Sequence, residues 1–174
     1  MHKAVFLDRD GVICQDVHYM ARPEQFVLLP GVGEGIMELN KMGFLVIVAS
    51  NQSGIARGYF TEEDLKAVTD RMVQELAKHD ARLDGIYYCP CLQDCECRKP
   101  NPWMLVKAAT EHDIELKGSF MVGDQDIDVE AGRAAGCTTI IIGRGDADYS
   151  VSNFSEAVKI IRSYKERKLE VREA

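Results

Sequence analysis

Short apolar runs alternate with helix-like segments along the chain, and this alternation constrains the fold more than any other feature. The runs predicted to be buried strands are 5–7, 44–49, 85–88, 119–122 and 138–142. The segments with helical spacing of apolar residues are 32–41, 62–76, 103–112, 126–135 and 154–164. We therefore predict an α/β fold, a doubly wound and mostly parallel sheet with helices on both faces, in a single domain spanning 1–174 without a large cap domain.

Composition and charge narrow the classes of partner. The 174 residues are 46% hydrophobic and 28% charged, with a formal net charge of −7 and no basic stripe. This balance argues against nucleic acid as a partner, and no apolar stretch reaches the ~18 residues that span a bilayer. We expect a cytoplasmic monomer without a membrane partner. A small anionic substrate remains possible, because a few local cations and a metal can outweigh the global field.

The sequence Asp8-Arg9-Asp10-Gly11 directly follows the first apolar run. In extended backbone, residues i and i+2 point to the same side, so the Asp8 and Asp10 carboxylates are expected to converge. Two such carboxylates repel unless a cation or a shared proton relieves them. The pattern predicts a metal-assisted site with one carboxylate free to act as a nucleophile. An ordinary Asp-Gly turn after a strand is the alternative.

Three other predicted strands or segments end in groups that suit the same chemistry. Ser50 opens a hydroxyl and glycine loop that ends at Gly54, Lys99 follows Arg98, and Asp124 follows Gly123. Ligands bind beyond the carboxyl ends of strands in such sheets, so these groups are expected to meet at one edge. Asp128, in the first turn of a predicted helix, is expected to support the fold or the surroundings of the metal.

This ordered set resembles the haloacid dehalogenase superfamily of phosphotransferases, and within it the family of D-glycero-D-manno-heptose 1,7-bisphosphate 7-phosphatases. The matching stretches are 5–11, 51–58, 84–90, 95–100 and 121–124. The resemblance implies that Asp8 is the nucleophile and forms an aspartyl-phosphate, and that Asp10 is the general acid and then the base. It also implies that Ser50 and Lys99 hold the phosphoryl group, and that Mg²⁺ lies on Asp8, the backbone carbonyl of Asp10 and Asp124.

Substrate contacts are expected from three groups of residues. A second phosphate suits arginine, whose planar fork grips phosphate, and the candidates are Arg9, Arg57 and Arg98. The resemblance implies that the pocket wall includes Asp16, His18 and Tyr19. The loop after the second strand is expected to contact the substrate through Asn51, Gln52 and Ser53.

A cluster of four cysteines has the pattern Cys-x-Cys-x₃-Cys-x-Cys. The cluster consists of Cys89, Cys91, Cys95 and Cys97. Thiolates so closely spaced can supply four tetrahedral ligands to a structural Zn²⁺, and four reduced thiols without metal are the alternative. The resembling family has a zinc loop at this place with a histidine where Cys91 stands. We predict a zinc-binding loop over 89–97 that fixes the segment bearing Arg98 and Lys99.

The function predicted from this resemblance is hydrolysis of the 7-phosphate of a heptose bisphosphate. The product would enter ADP-heptose or GDP-heptose synthesis for a lipopolysaccharide core or surface glycan. A histidinol-phosphate phosphatase of the same superfamily is the alternative enzyme. A non-catalytic, zinc-stabilised binding module is the alternative from another class, although all five residues that carry the predicted chemistry are present.

Overall fold

The computed structural model describes residues 1–93 and 95–173, with side chains through Arg167. Within these residues six strands form one sheet in the order β3-β2-β1-β4-β5-β6, and every neighbouring pair is parallel. The strands are β1 Ala4–Leu7, β2 Leu45–Asn51, β3 Gly85–Cys89, β4 Phe120–Gly123, β5 Thr138–Ile142 and β6 Tyr149–Val151. The helices are α1 Val32–Lys41, α2 Glu62–Ala77, α3 Trp103–Glu111, α4 Asp126–Ala135 and α5 Phe154–Glu173, with a short 3-10 helix at Pro23–Gln25.

Alternation along β1 divides the core between two faces of the sheet. Val5 and Leu7 belong to the larger apolar cluster, which contains residues from α1, α2 and α5. Phe6 belongs to the smaller cluster, which contains residues from α3. Helix α4 lies on this second face, because a side chain added at Gly132 would come within 2.5 Å of Met121. The predicted doubly wound sheet with helices on both faces is therefore confirmed.

Most predicted elements match the structure in position and kind. Helix α2 begins as a capping box, in which Thr61 Oγ1 accepts from the Asp64 backbone N–H at 3.1 Å and Asp64 accepts from the Thr61 N–H at 2.8 Å. Strand β6 was not predicted, because three residues are too few for a periodic pattern. In the described part of the chain, no helix combines the length and apolar character that a membrane crossing needs.

The chain order reverses between the two central strands, β1 and β4. Their neighbours β2 and β5 extend the sheet in opposite directions. Loops that leave the carboxyl ends of such strands diverge and open a crevice, where ligands bind in sheets of this kind. Ser50 at the end of β2 and the residues that follow β1 and β4 are among those predicted to carry the chemistry.

Candidate active site

A cavity of about 220 Å³ lies at the carboxyl ends of β1 and β2. The residues that line it are Asp8, Asp10, Asp16, His18, Tyr19, Ser50, Asn51, Gln52, Ser53, Gly54, Arg98, Lys99, Gln125, Ile127 and Asp128. The predicted catalytic residues are thus brought together from positions far apart in the sequence. More carboxylates than cations face this cavity, so an anionic substrate meets repulsion here unless a cation offsets it.

Three carboxylates form the acidic part of the site. Oxygen atoms of Asp8, Asp124 and Asp128 all lie within 4.8 Å of one another. Burial, followed by the charges of Asp8 and Asp128, raises the pKa of Asp124 to about 7. The buried Oδ1 of Asp124 has no hydrogen-bond partner, whereas buried polar atoms are normally satisfied. An oxygen-rich group with an unpaired buried oxygen fits a hard divalent cation such as Mg²⁺.

Two glycines allow this close approach. A side chain at Gly11 would place its Cβ 2.1 Å from Asp124 Oδ2, and one at Gly123 would come within 2.1 Å of Asp128 Cβ. Gly11 also has φ +82°, a left-handed conformation that side chains disfavour. The glycine after the Asp-x-Asp pattern therefore lets the backbone turn away and leaves room for the Asp124 carboxylate.

Lys99 is buried at the centre of the site. Its Nζ donates to Asp8 Oδ1 at 2.8 Å, to Asp128 Oδ1 at 2.7 Å and to the Ala49 carbonyl at 2.7 Å. All three ammonium hydrogens are therefore used. Burial opposes the charge, but the Asp8 and Asp128 carboxylates more than offset it and raise the pKa of Lys99. Lys99 thus carries a fixed positive charge directly beside the predicted nucleophile.

The carboxylate of Asp10 belongs to a different group of side chains. Arg9 donates to it through Nε at 3.1 Å and through Nη2 at 2.9 Å, and Gln52 Nε2 donates at 2.9 Å. Gln52 Nε2 also donates to Ser50 Oγ at 3.0 Å. Both carboxylates line the same cavity, as expected, but Asp8 bonds to Lys99 whereas Asp10 bonds to Arg9 and Gln52. Strand β1 ends at Leu7 and the chain then bends, so strict alternation does not extend through Asp10.

Arg9 does not lie where recognition of a second phosphate requires it. Its exposed fraction is 0%, and its guanidinium is held by Asp10 and Gln52. Burial opposes its charge, but Asp10 more than offsets this and raises the pKa of Arg9. The expectation that Arg9 contacts the substrate is wrong, because Arg9 is fully buried and does not line the cavity.

Asn51 lines the cavity, but its side-chain amide is occupied within the protein. The amide accepts from the Lys99 backbone N–H at 3.0 Å and donates to the Lys99 carbonyl at 3.1 Å. This pair of bonds joins the end of β2 to the segment that carries Lys99. The substrate contacts predicted for Asn51 and Gln52 remain predictions, and both amides have positioning contacts in the structure.

The outer wall of the cavity includes the exposed residues Asp16, His18 and Tyr19. Asp16 accepts from the His18 backbone N–H at 2.7 Å, and Tyr19 packs edge-on against Tyr59 with ring centres 4.7 Å apart. Arg57 lies over the Tyr19 ring at 5.9 Å. Arg98 and Ser53 complete the wall, and Arg98 also donates to the Cys91 carbonyl at 3.0 Å. The predicted pocket wall is thus assembled, with Tyr59 as an unpredicted neighbour.

The four cysteines of the predicted zinc loop form a compact cluster. Their sulfur atoms all lie within 4.8 Å of one another, and the sulfur separations are 3.3 Å for Cys89 and Cys95, 4.0 Å for Cys91 and Cys97, and 3.1 Å for Cys95 and Cys97. Zinc–sulfur bonds of about 2.3 Å place tetrahedral ligands roughly 3.8 Å apart, which is within this range. The thiol of Cys91 lowers the pKa of Cys95 to about 6. Asp94, between the two pairs, lies outside the described residues.

Sequence reasoning missed some residues of the site. Gln125 and Ile127 line the cavity without having been predicted as site residues. Gln125 and Ile127 follow Asp124 at the start of α4, so their closeness to a predicted metal ligand was an available signal. The roles of Arg9 and Gln52 beside Asp10 require distances between side chains, which one sequence does not supply.

Comparison with known proteins agrees with this geometry. A sequence model of the HAD-hydrolase-like family matches residues 96–161. Together with the parallel sheet and the acidic site, this match defines the class as HAD-like hydrolases. A D-glycero-beta-D-manno-heptose-1,7-bisphosphate 7-phosphatase of Pasteurella multocida is 39% identical over 183 residues, which cover 95% of this chain and 100% of the relative. The chain therefore belongs to the D-glycero-D-manno-heptose-1,7-bisphosphate 7-phosphatase family.

Two further relatives support the same assignment. The Campylobacter jejuni D-glycero-alpha-D-manno-heptose-1,7-bisphosphate 7-phosphatase is 40% identical over 168 residues, which cover 95% of this chain and 97% of the relative. The crystal structure of the D,D-heptose 1,7-bisphosphate phosphatase from B. bronchiseptica, complexed with magnesium and phosphate, matches with a TM-score of 0.86 at 32% identity. That match covers 92% of this chain and 98% of the other chain.

Proposed function

We propose that this protein hydrolyses the 7-phosphate of D-glycero-D-manno-heptose 1,7-bisphosphate through an aspartyl-phosphate on Asp8. The observation that carries the proposal is the placement of Asp8 between a buried, charged Lys99 and the Asp124 carboxylate, at the base of an open cavity. Phosphoryl transfer depends mainly on positioning and on neutralising oxygen charge. These side chains provide both.

The chemistry assigned to the chain has two steps. An Asp8 oxygen attacks phosphorus, the bond from phosphorus to the sugar oxygen breaks, and Asp10 gives its proton to the departing oxygen. Water then attacks the phosphorus of the aspartyl-phosphate while Asp10 takes the water proton, and the Asp8 carboxylate and inorganic phosphate are released. The Ser50 oxygen already accepts a hydrogen bond from Gln52, so its hydroxyl is free to donate a hydrogen bond to a phosphoryl oxygen. Lys99 stabilises the charge that moves between Asp8 and the phosphoryl group.

We propose Mg²⁺ as the cation at the acidic part of this site. Asp8, Asp124 and the backbone carbonyl of Asp10 would hold it, and it would neutralise charge on the phosphoryl oxygens. Support comes from the unpaired Asp124 Oδ1 and the three neighbouring carboxylates. Asp128 is engaged by Lys99 and by the backbone N–H groups of Asp124 and Gln125 at 3.2 Å, so it holds the surroundings of the metal in place.

A side-by-side steady-state assay tests the proposed function. The purified protein with Mg²⁺ is given the alpha and beta anomers of heptose 1,7-bisphosphate and, separately, histidinol phosphate. We expect kcat/KM for one heptose anomer to exceed that for histidinol phosphate by at least about 10²-fold, because the correct substrate contacts more of the site. Equally slow turnover of all three would contradict the assignment to heptose bisphosphate.

We also propose a structural Zn²⁺ on Cys89, Cys91, Cys95 and Cys97. Four protein ligands leave no open position, so such a site stabilises the loop and does not catalyse. The Arg98 bond to the Cys91 carbonyl and the Asn51 bonds to Lys99 connect this loop to the cavity. Zinc at this place would therefore hold Arg98 and Lys99 beside the phosphate.

Protein purified without chelator is expected to contain about one zinc per chain. A Cys95→Ser variant is expected to lose most of this metal and to unfold at a lower temperature, because binding free energy at a structural zinc site contributes to folding. A Cys91→His variant should keep zinc, since histidine is also a zinc ligand. Cys137→Ser, which changes a cysteine outside the cluster, is the control. Elemental analysis that finds no zinc in the wild-type protein would contradict the proposal.

A further inference from the structure

The side chains around Asp10 contain a buried cation with no direct role in the proposed chemistry. Arg9 is 0% exposed and does not line the cavity, so it cannot touch a bound substrate. Its Nε and Nη2 donate to the two oxygens of Asp10, at 3.1 and 2.9 Å. The guanidinium carbon lies 5.9 Å from the centre of the Tyr88 ring. Arg9 is therefore enclosed between the Asp10 carboxylate and an aromatic side chain.

Gln52 completes the arrangement around Asp10. Its Oε1 accepts from Arg9 Nη2 at 3.1 Å, and its Nε2 donates to Asp10 Oδ2 at 2.9 Å and to Ser50 Oγ at 3.0 Å. The amide thus contacts Arg9, Asp10 and Ser50 at once. Gln52 is 5% exposed, so these bonds are shielded from competition with water.

The Arg9 fork determines where the Asp10 carboxylate points. A two-point contact from a planar guanidinium fixes both oxygens, which a single ammonium cannot do. A carboxylate offers about four lone-pair sites; Arg9 and Gln52 supply three donors, and the Cys14 thiol makes a longer fourth contact, 3.6 Å to Oδ1. The Asp10 side chain keeps 17% exposure, and Asp10 lines the cavity. Because a thiol is only a weak donor, a group in the cavity can take the place of this fourth contact.

Stability alone does not explain why a charge pair is placed here. Removing a guanidinium from water is costly, and well-packed apolar side chains at such a place are often as stable as a buried ion pair. The position of a proton-transfer group has a large effect on the reaction rate, because moving such a group by about 1 Å can lower the rate roughly 10²-fold. Orientation of Asp10 is thus the benefit that this arrangement offers.

We propose that Arg9 is a positioning residue that aims the Asp10 carboxylate at the departing sugar oxygen, and that Gln52 extends this positioning to the Ser50 hydroxyl. The inference rests on the proposed function, since it takes Asp10 to be the general acid and base. It adds two residues that act through others: Arg9 does not line the cavity, whereas Gln52 lines it and bonds to both Asp10 and Ser50.

The test measures how the rate depends on the leaving group. An Arg9→Lys variant keeps the charge but removes the fork. Its kcat/KM is compared with wild type for heptose 1,7-bisphosphate, phenyl phosphate and p-nitrophenyl phosphate. The nitrophenolate departs without a proton, so the variant should hydrolyse p-nitrophenyl phosphate almost as well as wild type does. For the sugar phosphate, whose leaving oxygen needs the proton, kcat/KM should fall about 10²-fold, within the range of general acid catalysis.

Controls separate positioning from a general loss of structure. Gln52→Met keeps Arg9 and a similar side-chain length, and we expect a smaller loss with the same dependence on the leaving group. Arg82→Lys makes the same chemical change at an exposed arginine that pairs with Asp84 and should change no rate. Inhibition by orthophosphate should be unchanged in Arg9→Lys, because Asp8 and Lys99 are retained.

The inference about Arg9 would be overturned if Arg9→Lys and Gln52→Met each lowered kcat/KM equally for all three substrates. It would also be overturned if neither variant lowered kcat/KM for any of them. A wild-type protein that hydrolyses none of the three would instead overturn the proposed function, and this inference with it.

Discussion

An Asp8→Asn variant is expected to fold and yet to lose turnover by about 10⁶-fold, the scale of loss when a covalent nucleophile is removed. The asparagine keeps the shape of the side chain and can still accept the 2.8 Å hydrogen bond from Lys99. Its amide oxygen is a far weaker nucleophile than a carboxylate, so the aspartyl-phosphate cannot form. Steady-state hydrolysis of heptose 1,7-bisphosphate, with circular dichroism as the check on folding, measures this effect.

The matched control for Asp8→Asn is Asp126→Asn. Asp126 is an exposed acid in the first turn of α4 and does not line the cavity, so its variant should retain full activity. A second readout detects the intermediate itself. Borohydride treatment of wild-type enzyme quenched during turnover should reduce the acyl phosphate and convert Asp8 to homoserine, as seen by peptide mass spectrometry. Substantial activity in Asp8→Asn would exclude Asp8 as the nucleophile.

A Lys99→Met variant is expected to lose both stability and activity. Removing the ammonium leaves the buried Asp8 and Asp128 carboxylates without the cation that now bonds to each. Breaking a buried ion pair in this way costs about 3–5 kcal/mol of unfolding free energy. Loss of one group that stabilises transition-state charge lowers kcat by roughly 10²–10³-fold. Urea unfolding and steady-state kinetics measure the two effects separately.

A double variant distinguishes the electrostatic from the catalytic contribution of Lys99. In Lys99→Met/Asp128→Asn the second substitution removes one of the two unpaired carboxylates, so part of the lost unfolding free energy should return. Activity should stay low, because the positive charge beside Asp8 is still missing. If the double variant regained activity along with stability, Lys99 would be a structural residue and its proposed contribution to phosphoryl transfer would be wrong.

Periodic patterns in the sequence predict most of the sheet and its helices. The predicted bounds of α1, α4 and β5 match those observed, because each of these elements carries a long pattern with clear ends. Helix α5 extends to Glu173 although its apolar pattern ends at Tyr164. The charged residues beyond Tyr164 are good helix formers that can continue a helix without a buried face.

The residues gathered at the site follow from strand ends, whereas their contacts do not. Asp8, Ser50 and Lys99 were predicted because topology brings the carboxyl ends of parallel strands to one edge. Asp10 was also predicted, but the partners of its carboxylate were not. Whether the Gln52 amide faces the cavity or Arg9 depends on side-chain rotation, which packing determines. Sequence patterns therefore located the site more completely than they described its hydrogen bonds.

The outer wall of the cavity differs in burial from the catalytic residues beneath it. Tyr19 in the wall is 40% exposed and its neighbour Tyr59 is 58% exposed, whereas Lys99 is 2% exposed. Substitutions at exposed positions usually change stability by no more than about 0.5 kcal/mol. The wall of this protein can therefore vary in sequence without endangering the fold, whereas changes at Lys99 disturb the core itself.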